Sequence, residues 1–240
     1  MAEARVIRSE ALTEKIRSLT LEMPGEASPG QFLHVACGEG LLLRRPISIC
    51  DAENGAMRIV YEVKGEGTKR LAAARPGDKL DVLGPLGHGF EAPEKGRVLL
   101  VGGGLGAAPL LLAAKKWDCD AALGFPTAER VMLTEEFASR VGRLDIATDD
   151  GTFGRRGFVT ELVSGKLDGY AAIFACGPEP MLRALARVCA GAPLQVSMER
   201  RMGCGVGACL VCAVKLTDGS VARACKDGPV FRAEEVDWNG

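Results

Sequence analysis

Histidine is nearly absent from this chain, occurring only at His34 and His88. Both lie far in sequence from the cysteine-rich C-terminal stretch, which excludes a Rieske-type pair of imidazole ligands there. An excess of either charge is also missing: 30 Lys and Arg against 31 Asp and Glu leave a formal net charge of −1. With the signs interspersed, there is no basic stripe for nucleic acid and no acidic tail. No apolar run approaches the roughly 18 residues of a membrane span, so any membrane contact goes through a partner rather than by insertion. The opening MAEARVIRSE has no apolar signal core, and reduced thiols suit a cytoplasmic protein. No internal repeat or low-complexity segment is visible. What remains is ordinary globular material, 240 residues with 47% apolar content, enough for one large or two modest domains plus an appendage.

Against that background the cysteines stand out. Cys204, Cys209 and Cys212 follow the order C-x4-C-x2-C, and Cys225 comes later in the same stretch. This is the plant-type spacing of a [2Fe–2S] cluster, in which a tight loop supplies three thiolates and a later position the fourth. Gly203, Gly205 and Gly207 alternate around the ligands, permit positive φ and let backbone N–H groups turn toward sulfur. Zinc fits less well, because structural zinc sites usually use two short Cys-x2–4-Cys knuckles and the second is missing. Disulfides do not suit the compartment, and core cysteines need no glycines around them. Cys37, Cys50, Cys119, Cys176 and Cys189, outside the motif, read as isolated buried thiols, with Cys176 a candidate for more.

From Arg5 to about Leu83 the pattern is strand and turn. Leu19, Leu21 and Met23 alternate with polar residues, QFLHVAC reads as a strand, and Asn54-Gly55 between RRPISIC and MRIVYEV predicts a type I′ hairpin. Several short strands at such spacing predict a small antiparallel Greek-key β-barrel. From about Gly96 the character changes: RVLLVGGGLGAAPLLLAAKKW runs from an apolar strand through glycines into a helix. Strands and helices then alternate through AALGF, LTEEFASRV, LDIATDD, FVTELVSGKL, YAAIFACGP and EPMLRALARVCA to the strand LQVSME, predicting a Rossmann-like, doubly wound parallel sheet. The expected division is 1–93 for the barrel, 94–197 for the sheet and 198–240 for the cluster module.

Gly102, Gly103, Gly104 and Gly106 fall between a strand and a helix, where bare backbone can approach a pyrophosphate. Taken alone, such a run is as often a tight turn. No acidic residue ends the second strand, at GFPT, so NAD and NADP are not distinguished. Cys176, Gly177 and Pro178 close a later strand at the edge where such sheets bind ligands. In the barrel half, Arg45 and Ser48 share a strand, Tyr61 lies in the next, and Glu66 to Thr68 adds a glycine amide and a hydroxyl. An arginine can neutralise a diphosphate and a tyrosine can cover a flat ring. Composition and spacing do not by themselves name a flavin.

The order RPIS, VYEVKGEGT, GPLGHGF, VGGGLGAAP, FACGPEPM, MGCGVGACLVCAVK and ACKDGPVF resembles the electron-transfer subunits of class 1B dihydroorotate dehydrogenase, within the ferredoxin reductase superfamily. The resemblance spans essentially the whole chain and is most specific in ERRMGCGVGACLVC, CKDGPVF and the closing EEVDW. It implies FAD held by Arg45, Pro46, Ile47 and Ser48, by Val60, Tyr61 and Glu62, and by a Gly67-Thr68 turn. It places NAD at the glycine loop and near Cys176, Gly177 and Pro178, and the [2Fe–2S] cluster on Cys204, Cys209, Cys212 and Cys225. The implied partner is an FMN-containing catalytic subunit, in a heterotetramer of two plus two serving pyrimidine (UMP) biosynthesis. Electrons from that FMN would pass through [2Fe–2S] and FAD to NAD+, and this chain itself would not bind dihydroorotate. Similar chains commonly carry Arg after the Gly-Phe of the second strand, where this one has Pro126. A related ferredoxin:NADP oxidoreductase or sulfide dehydrogenase subunit is the alternative, and a redox-sensing module is disfavoured by the intact glycine loop and RPIS strand.

Overall fold

The computed structural model describes residues 2–239. Its first half is a closed antiparallel barrel of six strands, β1 (Ala2–Ala11), β2 (Ile16–Glu22), β3 (Phe32–Val35), β4 (Arg45–Glu53), β5 (Ala56–Glu62) and β6 (Lys79–Leu86), in the order β1-β2-β5-β4-β3-β6. Alternate residues such as Leu19, Leu21, Leu33, Val35, Ile47, Ile49, Met57 and Ile59 fill the interior. The predicted hairpin joins β4 to β5: Asn54 (φ 53°) and Gly55 (φ 76°) both take the positive φ that a type I′ turn demands, and Glu53 faces Ala56. Glu66 to Thr68, expected as a turn, is instead the start of a short helix, α1 (Glu66–Ala72). The Thr68 hydroxyl accepts the backbone N–H groups of Lys64 (2.9 Å) and Gly65 (3.2 Å), tying down donors that the helix start leaves without partners.

The second half is a seven-stranded sheet. Strands β7 (Arg97–Gly103), β8 (Cys119–Phe125), β9 (Leu144–Thr148), β10 (Arg155–Arg156), β11 (Tyr170–Cys176) and β12 (Leu194–Ser197) run parallel in the order β10-β9-β8-β7-β11-β12. The strand order reverses direction between β7 and β11. Each apolar strand feeds two cores: Leu99 and Val101 of β7 enter one, Val98 and Leu100 the other. Helices α2 (Ala107–Lys116) and α3 (Thr134–Ala138) cover one face, α4 (Val159–Val163) and α5 (Glu179–Val188) the opposite one. Helices α3 and α4 have five residues each, shorter than their apolar periodicity predicts. Ser164 leaves helical geometry and Gly165 turns at φ 69°, which ends α4 before its pattern does.

Helix α2 also packs on β4, so it forms the joint between sheet and barrel. Lys115 reaches Asp51 (3.2 Å) and Glu53 (2.5 Å), and Lys116 donates to the Ala27 carbonyl. Beyond β12, the hairpin β13 (Ala213–Lys215) and β14 (Val221–Arg223) is followed by β15 (Val230–Arg232), which adds antiparallel to β12 as the edge of the large sheet. The C-terminal segment is thus rooted in the sheet. Cys212, Val214, Ala222, Ala224, Cys225 and Phe231 share one continuous core with the α5 face.

Candidate cofactor cleft and cluster loop

At the point where the strand order reverses, the carboxyl ends of β7 and β11 face the barrel across a cleft of about 510 Å³. Doubly wound sheets bind their ligands at such switch points. The cleft brings together Arg45, Pro46, Ile47, Ser48, Val60, Tyr61, Glu62 and Thr68 from the barrel side with Gly103, Gly104, Gly106, Cys176, Gly177 and Pro178 from the sheet side. Gly67 and Gly102 do not line it. Gly67 lies beneath the Arg45 guanidinium, and Gly102 packs against Ala107 at the start of α2. Gly106 is where a side chain is least tolerable, since a Cβ there would fall 2.3 Å from the Cys176 carbonyl oxygen. That close approach holds the β7 loop against the end of β11.

Sequence reasoning missed other lining residues, among them Ile16, Phe32, Arg130, Met198, Glu199 and Arg200. Arg130 stands four residues beyond Pro126, itself in the lining, and was detectable only as a cation displaced from the expected place. It pairs with Glu62 at 2.7 Å, and Lys64 pairs with the same carboxylate at 2.8 Å. Burial works against the Glu62 charge, but hydrogen bonds from Lys64 and Arg130 outweigh it and hold the carboxyl below its usual range. Arg200 pairs with Glu179 at 2.7 Å. Burial pushes the Cys176 thiol up to about 12, so it stays protonated.

Arg45 donates to the carbonyls of Leu43 (2.5 Å) and Arg44 (3.4 Å), and among the described residues no carboxylate pairs with it. Tyr61 is 3% exposed, its ring in the barrel core and its hydroxyl without a hydrogen-bond partner among the described residues. An unneutralised cation, an orphaned buried hydroxyl and glycine backbone lining the cleft suit a ligand with a diphosphate and a polar ring system. The Thr68 hydroxyl is committed to its own loop and donates to Gly65 O at 3.1 Å.

The cluster loop is organised by its own amides. Val206 N (3.4 Å) and Ala208 N (3.2 Å) donate to Cys204 Sγ, Gly207 N to Cys225 Sγ (3.1 Å), Cys204 N to Cys209 Sγ (3.4 Å) and Cys225 N to Cys212 Sγ (3.4 Å). The amides of Val206 and Ala208 lower the Cys204 thiol to about 6, while burial and the neighbouring Cys212 raise Cys225. Backbone amides thus link Cys204 to the Cys209 sulfur and Cys225 to that of Cys212, and Cys225 also feels Cys204. Among the described residues no three metal-ligating side chains converge on one ion. Arg223, gripping Asp227 at 2.8 Å, also donates to Gly207 O (3.2 Å) and ties the fourth ligand's turn to the loop.

The loop touches the barrel at an unforeseen residue. His34 of β3 is fully buried, and neither ring nitrogen has a hydrogen-bond partner among the described residues. A Cβ on Gly205 (φ 73°) would fall 2.4 Å from His34 Nδ1. Burial, with the cations of Arg44 and Arg45, lowers its pKa against a weaker opposing pull from the Arg44 backbone. Phe32, two residues earlier, lines the cleft and belongs to the core that contains Cys212 and Cys225.

An antiparallel barrel backed by a nucleotide-type parallel sheet, with a cleft at their junction, is the architecture of ferredoxin reductase-type flavoproteins. Solved structures that share it include an NADH-dependent reduced ferredoxin-NADP oxidoreductase (TM-score 0.87, 32% identity, covering 100% of this chain and 91% of that one). The fold recurs in the ferredoxin reductase of carbazole 1,9a-dioxygenase (TM-score 0.65, 20% identity, covering 81% and 68%). Residues 199–237 match the family model for the iron-sulfur cluster binding domain of dihydroorotate dehydrogenase B. A dihydroorotate dehydrogenase B (NAD(+)) electron transfer subunit of Caldanaerobacter subterraneus subsp. tengcongensis is 42% identical, covering 98% of this chain and 97% of its own. That of Geobacillus thermodenitrificans is 44% identical, covering 96% of each. The chain belongs to the family of dihydroorotate dehydrogenase B electron transfer subunits.

Proposed function

We propose that this chain couples dihydroorotate oxidation on a separate FMN-containing subunit to reduction of NAD+, within a complex of two plus two subunits working in the cytoplasm. The observation that carries this reading is the face of the cluster loop: Val206 (56%), Leu210 (59%) and Val211 (56%) are exposed while Cys212 and Cys225 lie buried beneath. Solvent-facing apolar side chains around redox ligands suit a partner surface. Among the described residues no helix is long and apolar enough to cross a membrane.

When bound, FAD handles electrons singly or in pairs and the cluster handles them singly, so together they join hydride chemistry to one-electron transfer. The chain's own residues bind, orient and insulate. Arg45 offers an uncompensated cation to a diphosphate, and Tyr61 a buried hydroxyl to the ring system. The Gly103–Gly104 backbone leaves room for the nicotinamide nucleotide opposite the barrel, and the loop amides stabilise thiolates at the cluster ligands. Phe32 lines the cleft and packs into the core that holds Cys212 and Cys225.

Co-expression of this chain with the FMN subunit tests the reading. A stable complex that forms NADH from dihydroorotate and NAD+ is expected. A chain that ignores that subunit and instead exchanges electrons between ferredoxin and NADPH would favour the related oxidoreductase, a kinship already visible in the 32%-identical structure.

A further inference from the structure

His34 is fully buried, with neither ring nitrogen hydrogen-bonded among the described residues. Leaving a buried polar group unsatisfied is costly, and native proteins rarely accept it without a reason. On β3 the pleat alternates, so Leu33 and Val35 enter the barrel core while Phe32 and His34 point out of it. Outward here means toward the cluster loop. Nδ1 is the ring atom nearest to Gly205, whose neighbours in the chain are Cys204 and Val206, a cluster ligand and the amide that bonds it. Gly205 excludes a side chain twice over, by its φ of 73° and by the 2.4 Å approach of a Cβ to Nδ1, so the ring and the ligand loop are in contact.

A neutral imidazole carries one N–H donor. The backbone amides of the loop already serve Cys204, Cys209, Cys212 and Cys225, and the imidazole sits beside them with neither nitrogen in hydrogen-bonding geometry among the described residues, although the Arg44 backbone lies close enough to act on it. We propose that His34 is a positioning residue for the cluster: it donates a hydrogen bond from the barrel into the sulfur shell of the [2Fe–2S] group and so fixes the ligand loop against the flavin-side domain. This rests on the cluster reading above. Hydrogen bonds to cluster sulfur favour the more negative, reduced form and raise the reduction potential.

The test uses the whole chain with its cofactors loaded. His34→Asn places an amide donor near the position of Nδ1, whereas His34→Leu fills the space without one. The expected result is an iron content like that of the wild type in both, with the Leu variant's reduction equilibrium against a dye moved about tenfold toward the oxidised cluster, 59 mV for one electron. The Asn variant should recover most of the shift. An unshifted potential in iron-loaded His34→Leu would overturn the proposal. Should that variant fail to load iron, the wild type decides. With 15N introduced only at histidine, the reduced cluster's pulsed EPR spectrum should show a coupled nitrogen that persists in His88→Gln, since the chain has only two histidines. A spectrum without that coupling, as when a buried water takes the imidazole's hydrogen bond, refutes it. A wild-type protein that never binds iron would instead remove the cluster reading, and this inference with it.

Discussion

The cluster loop and the cofactor cleft are neighbours built in opposite ways. The loop draws its ligands from Cys204 to Cys225, and its amides already point at the sulfurs. The cleft draws on residues from Ile16 to Pro229 and exists only once α2 has docked the sheet on β4. A site whose donors are local depends on each donor wholly. One gathered from distant segments should lose function by degrees, because each wall supplies only part of the binding.

The largest effect that separates them is expected at the fourth ligand. Cys225→Ser should cut bound iron to a small fraction and reduce dihydroorotate-dependent NADH formation beyond the roughly 10–100-fold typical of losing a supporting hydrogen bond. NADH-to-dye activity, which needs only the cleft, should survive in part. Iron analysis and the two assays check this, and equal loss of both activities would erase the distinction. In the cleft, Arg45→Ala should weaken flavin retention about 10–100-fold, the scale of one hydrogen bond to a charged group, while iron content holds. Flavin-release titration measures it.

Gly106→Ala and Gly104→Ala then separate packing from conformation within one loop. At Gly106 the new Cβ meets the Cys176 carbonyl at 2.3 Å, whereas at Gly104 there is open space and only the φ of 54° resists. Overpacking costs about 1–3 kcal/mol, and left-handed backbone about 1–2 kcal/mol. Gly106→Ala should therefore lower Tm by several degrees and raise the KM for NADH. Gly104→Ala should affect Tm less, and a reversed order would show that the β7 loop does not depend on its contact with β11.

What the sequence made readable follows the same division. Cysteine spacing, the Asn54-Gly55 hairpin and the two-sided apolar strands are local patterns, and the hairpin and the strands have their counterparts in the structure. His34 was opaque because a lone histidine in FLHV looks like any strand residue until Gly205 is folded against it. Arg130 and Glu199 were opaque for a like reason: the first lies on a turn after β8, the second beside the cysteines, and only tertiary docking brings both into the cleft that holds Arg45. Val230 to Arg232 form too short a run to announce a strand, and their pairing with β12 is set by the core around Phe231. Thr68 has the residue type of a phosphate ligand, yet its hydroxyl serves the backbone of Lys64 and Gly65.

The smallest effect should come from protons. Glu62 has its carboxyl held below the ordinary range by Lys64 and Arg130, so the folded protein keeps it ionised where the unfolded chain begins to protonate it. Its stabilisation is therefore complete above the unfolded carboxylate pKa, about 4.3, and is lost as pH falls through the lower folded value. Because Arg130 and Lys64 are substantially exposed, the contribution should stay at or below about 1 kcal/mol, or roughly 2–4 °C in Tm. Glu62→Gln should lower Tm by that amount at pH 7 and converge with the wild type near pH 3, while iron release follows the same pH course in both proteins. A Tm difference that persists at acid pH would mean that Glu62 acts through packing rather than charge. An iron-release curve that moved with it would mean that the cleft and the loop titrate as one site.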